Sequence, residues 1–144
     1  MSGLAALLAG HTPPDVYQWR SAAAVPDVQH AVEKAGWTFR YLDGWTIEDQ
    51  ESFLKSAAAC LDSSDSGNDI AALAECLDKV QVGDQGMVML WDGWSPLARK
   101  DEQCFERALE AYRKRAASDQ HGKLAVILRG EGPDLDVEEL PIKH

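Results

Sequence analysis

Side chains able to do covalent or metal chemistry are few and scattered in this 144-residue chain. The three cysteines, Cys60, Cys76 and Cys104, form no CxxC pair, and each lies in a stretch with helical patterning. An odd number at such spacings predicts buried, reduced thiols, not a disulfide framework. The histidines His11, His30, His121 and His144 show no HxxxH spacing and no grouping with cysteine. A tetrahedral site needs several clustered nitrogen or sulfur ligands, so no metal is expected. No GxSxG elbow, P-loop or GxGxxG turn is present; Gly130-Glu131-Gly132 is a fragment with no helical pattern behind it. A Cys/His nucleophile would need a spatial pairing that sequence does not display. The expectation is a non-enzyme with no catalytic residue and no cofactor.

Charge is more informative. Fourteen Lys and Arg stand against 24 Asp and Glu, a net −10. Such a surface repels phosphate backbones and argues against nucleic-acid binding. It favours a basic partner through long-range steering, although acidity also serves solubility alone. The composition, 45% apolar and 26% charged, is that of a globular protein long enough to bury a core without disulfides or metals. No 18-residue apolar run exists, and the apolar start (Leu4 to Leu8) carries no basic flank, so a cytoplasmic protein without a membrane contact is expected.

The elements that must position any site follow from periodicity. Thr38 to Leu42 (TFRYL), Met87 to Trp91 (MVMLW) and Leu124 to Leu128 (LAVIL) read as buried strands bounded by Gly36, Gly86 and Gly122. Val16 to Arg20 alternates apolar and polar and suits an edge strand. Between them lie helical patterns. Val28, Val32 and Ala35 mark one over Pro26 to Ala35. Phe53, Leu54, Ala57, Ala58 and Leu61 make a stripe, with Thr46 and Asp49 as its capping box. Ile70, Leu73 and Leu77 mark a shorter helix, capped by Asn68 or Asp69. Ser95-Pro96 opens a segment whose apolar face is Cys104, Phe105, Ala108, Leu109 and Tyr112, with Arg113, Lys114 and Arg115 in its last turns. Strands alternating with helices require crossovers and so a parallel sheet covered by helices. The fold class is α/β, with three to four strands. The tail from Glu131, with Pro133 and Pro141 and several acids, is expected on the surface.

Motif order then points to a family. A helix ending near Leu61 is followed by a polar loop with Gly67 and by Ile70-Ala-Ala-Leu-Ala-Glu-Cys-Leu77. Leu90-Trp91-Asp-Gly-Trp94 follows the central strand, and a final apolar strand follows a Glu- and Arg-rich helix. In this order the chain resembles the barstar family, intracellular inhibitors of secreted ribonucleases. The resemblance implies one barstar-like domain over 1–144, with a core at 37–130, an N-terminal extension at 1–36 and an acidic tail at 131–144. It implies that the short helix and the loop before it enter a basic active-site cleft, where carboxylates replace substrate phosphates. Carried over by position, the partner-binding residues are Asp65, Asn68, Asp69, Ala71, Ala74 and Glu75. The implied partner is an extracellular-type ribonuclease or related toxin, expected to be bound by a monomer.

The match is incomplete at the site. The family's aromatic pair before the loop glycine corresponds to Asp65 and Ser66, one helix carboxylate to Ala71, and the acid of a later helix falls near Lys114. Asp69 also suits an N-cap and Glu75 a solvated face; Asp62 and Asp65 suit ordinary loop acids. Trp91 and Trp94 fit either an interface or the core. Two other functions stay open: a non-inhibitory adaptor on the same fold, and a small enzyme or ligand binder using the carboxyl ends of the strands.

Overall fold

The computed structural model describes residues 3–60, 69–80, 82–118, 122–132, 135 and 137–140. In chain order its elements are α1 (Gly3–Leu8), β1 (Val16–Trp19), α2 (Val25–Lys34), β2 (Thr38–Asp43), α3 (Gln50–Cys60) and α4 (Ile70–Lys79). They continue with β3 (Met87–Asp92), α5 (Ser95–Lys100), α6 (Glu102–Ala117), β4 (Leu124–Arg129) and β5 (Glu138–Leu140).

The strands form one five-stranded sheet in the order β2-β3-β4-β1-β5. Every pairing is parallel, which fits an α/β sheet buried on both faces. Every residue of β3 is buried, and only Arg129 of β4 is partly open. Alternation divides the side chains. Met87, Met89 and Trp91 face α3, α4, α5 and α6, whereas Val88 and Leu90 face α1 and α2. Two cores result, one on each face. Trp37 ties α1 in place by donating its indole N–H to the Leu8 carbonyl at 3.1 Å.

Four expectations change. The stretch from Val16 is not an edge strand, because β1 lies between β4 and β5. The tail adds that fifth strand, pairing Glu139 with Gln18 and burying Leu140 under the α1/α2 face. Thr46 does not cap α3. Asp49 does, its Oδ1 accepting from the Ser52 amide at 2.8 Å, and this hydrogen bond lowers the Asp49 pKa. The helix expected from Ser95 breaks at Asp101, whose carboxylate accepts from the Cys104 amide at 3.2 Å and starts α6 anew.

Trp91 and Trp94 are core residues. Trp91 stacks on Phe53 with centroids 5.0 Å apart, and Trp94 stacks on Phe105 at 5.4 Å. Among the described residues no helix is long and apolar enough to cross a membrane.

Candidate partner-binding surface on α4

Helix α4 forms because Leu73 and Leu77 bury one stripe, with Ile70 beside it, against the core shared by α3, α6 and the sheet. Its start is fixed by Asp69, extended at φ −149°, whose Oδ1 accepts from the Ala72 amide at 3.0 Å. An unmet helix donor is satisfied there, so part of the carboxylate's hydrogen-bonding capacity is already used.

The other end is held by Arg115, one of the three cations that the sequence places in the last turns of α6. Arg115 of α6 is only 2% exposed. Its Nε donates to the Leu77 carbonyl at 2.8 Å and its Nη1 to the Gly122 carbonyl at 2.9 Å. A buried guanidinium therefore anchors the last turn of α4 to α6 and to the approach to β4. Burial lowers its pKa, and the nearby Asp78 opposes that shift. The signal was present in the sequence: Arg115 and Ala116 continue the i+3, i+4 spacing from Tyr112.

With Leu73 and Leu77 inward, Asp69, Ala71, Glu75, Asp78 and Lys79 are exposed, and Ala74 is half-buried at the flank. Ala71, Ala74, Glu75 and Asp78 follow i, i+3, i+4, i+7 spacing and so share one stripe. Asp78 is thus a further acid on this face that the sequence reading did not single out. The residues Asp62, Asp65 and Asn68 lie outside the described residues. Lys114, where the family resemblance calls for an acid, is exposed and pairs with Glu110 at 3.2 Å, offsetting its charge locally.

Among the described residues, the N-terminal elements leave this face open. Helices α1 and α2 pack on the opposite side of the sheet from α4, so they do not cover it. No cluster of three or more His, Cys, Asp or Glu side chains among the described residues is placed to hold a metal ion. At the carboxyl ends of the strands, where open α/β sheets bind ligands, Arg129 crosses from β4 to the β1–α2 connection and donates to the Ala23 carbonyl at 2.6 Å.

The family comparison decides the assignment. Residues 37–129 match the family described as Barstar (barnase inhibitor), well over half of the chain. The chain belongs to the barstar family. A search of curated proteins finds no match. The matched region starts just before β2 and ends with β4, so it contains α4 and its anchor Arg115. Helix α1, strand β1 and helix α2 precede it, and β5 follows it; both flanks join the same sheet through β1. Barstar is a family of inhibitors, which sets the frame for reading the α4 face.

Proposed function

We propose that this barstar-family protein is a cytoplasmic, monomeric, non-enzymatic inhibitor of a basic, secreted ribonuclease or related toxin. The α4 face, with the segment before it, enters the target's cleft. Asp65, Asn68, Asp69, Ala71, Ala74 and Glu75 form the contact surface, and the carboxylates take the places of substrate phosphates. Asp78 extends the acidic stripe by one turn. The observation that carries the reading is the exposure of Asp69, Ala71 and Glu75 on a helix capped at its start by Asp69 and held at its end by the buried Arg115. A rigid, pre-shaped face loses little entropy on binding. The net charge of −10 supports it through steering of a basic target. Residues 1–36 are an extension and 131–144 a tail on a barstar-like core at 37–130, all within one domain.

The α4 face lacks large anchors, since Ala71 and Ala74 are small. Interfaces draw most of their energy from a few aromatic, arginine or paired charged residues. The target's cleft is therefore matched to this particular helix and not shared with every barstar. The same feature favours a second reading, an adaptor whose partner is not a nuclease. Affinity capture from the native host, followed by an RNA-degradation assay with and without the protein, separates them. Capture of a basic ribonuclease that loses activity in the complex supports inhibition. Capture of a non-nuclease partner, with RNA degradation unaffected, supports the adaptor.

A further inference from the structure

Only two large apolar side chains among the described residues are exposed, Tyr41 at 37% near the carboxyl end of β2 and Trp45 at 51% in the turn that follows it. They converge on consecutive residues, Asp92 at the end of β3 and Gly93 just after it. The Tyr41 hydroxyl donates to Asp92 Oδ2 at 3.2 Å. The Trp45 indole lies over Gly93 and Gly130, where an added Cβ would come within 2.5 Å and 3.1 Å of the ring. Both glycines have positive φ, +81° and +129°, so a side chain there would be strained as well as crowded.

Neither aromatic is loosely held. Asp92 is gripped by Arg129 through Nε–Oδ1 at 3.2 Å and Nη2–Oδ2 at 3.0 Å. The Trp45 amide donates to Asp43 Oδ1 at 3.2 Å, which fixes the turn that presents the indole. Acids neighbour the ring: Asp43, whose carboxylate accepts from the Trp45 amide, and Glu131, which follows the Gly130 that the indole overlies; Glu48 lies three residues on in sequence, and all three are exposed. An exposed indole seated on backbone, with carboxylates on neighbouring residues, suits a planar cation that stacks on the ring while donating to the acids.

We propose that Trp45, with Asp43 and Glu131, forms a second docking surface that receives an arginine side chain of a protein partner. Helix α3 begins just after it and runs 11 residues, about 17 Å, toward the segment that precedes α4. The surface is thus separate from the α4 face, and the proposal does not depend on the inhibitor reading. Its chemistry is narrow: the guanidinium stacks on Trp45 and donates to the two carboxylates, and Tyr41 borders the contact.

The test uses the full chain, isotopically labelled, titrated with a capped peptide of alternating arginine and glycine. A matched peptide with citrulline for arginine keeps the shape and removes the charge. Saturable movement of the Trp45 indole N–H and of the Trp45, Gly93 and Gly130 amides is expected with the arginine peptide only. Trp45→Leu lowers the association constant at least fivefold, Trp45→Phe retains most of it, and Asp43→Asn with Glu131→Gln weakens it further. Glu75→Lys leaves it unchanged. Unaltered affinity in Trp45→Leu, with a spectrum that shows the variant folded, would overturn the proposal. So would peptide-induced shifts spread evenly over the acidic surface.

Discussion

Arg115 donates through Nε to the Leu77 carbonyl at 2.8 Å, so a cation buried on α6 fixes the last turn of α4. Helix C-termini leave carbonyls without intrahelical donors, and this guanidinium supplies one where water is excluded.

Replacing Arg115 by leucine keeps the apolar volume but strands the Leu77 and Gly122 carbonyls. A loss of about 2–4 kcal/mol in unfolding free energy is expected. Urea denaturation measures it, and hydrogen exchange should quicken first in the last turn of α4. A cost below about 0.5 kcal/mol, or faster exchange elsewhere only, would contradict the anchoring role.

The Asp92–Arg129 pair yields a second expectation. Both side chains are largely buried, at 12% and 13% exposure, and doubly bonded. Asp92→Ala leaves the guanidinium without its carboxylate and costs about 3 kcal/mol, whereas the double variant Asp92→Ala with Arg129→Met regains much of it. A double-mutant cycle in thermal or chemical unfolding reads the coupling. Additive single effects would show that the pair does not act as a unit.

The phenols make stability sensitive to alkali. Burial, helped by Asp15 and Glu138, pushes the Tyr17 pKa up to about 12. Burial and Asp92 raise Tyr41, and burial raises Tyr112 well above its ordinary value. The folded chain keeps these protons while the unfolded chain releases them near pH 10. Their contribution is therefore intact below pH 10 and falls as pH rises toward 12. Urea midpoints between pH 8 and 11.5 should decline only in the upper part of that range. Tyr17→Phe should shallow the decline by about 1.4 kcal/mol per pH unit, at a fixed initial cost for the lost bond to the Pro13 carbonyl. A midpoint independent of pH above 10 would contradict the shift.

Much of this architecture was legible where a local pattern met no competitor. The runs at Met87 and Leu124 have no polar residue until Asp92 and Arg129, so only a strand buried on both faces suits them. Helix α4 was legible from Ile70, Leu73 and Leu77, and Asp69 supplied its cap as the sequence allowed. β5 was not legible: it is three residues, two of them acids, and forms because the sheet offers an edge beside β1 and a core that takes Leu140. The break at Asp101 escaped because the apolar stripe of α6 begins only at Cys104, which leaves the preceding turn ambiguous. Arg115 escaped because charge was given more weight than position. Asp69 and Glu75 could be named from sequence and Asp78 was passed over, while the openness of all three depended on α1 and α2 choosing the other face of the sheet.

The central claim is that the α4 face meets a basic ribonuclease. Its most direct measurement is the association rate with the captured ribonuclease, for the natural chain and for Glu75→Lys, across a series of salt concentrations. Glu75 is exposed and caps nothing, so its reversal leaves the fold intact. The account predicts a rate that falls steeply with salt, is at least tenfold lower in Glu75→Lys at low salt, and is matched by weaker protection of the RNA substrate. Equal rates and equal protection for the two proteins at every salt concentration would contradict it.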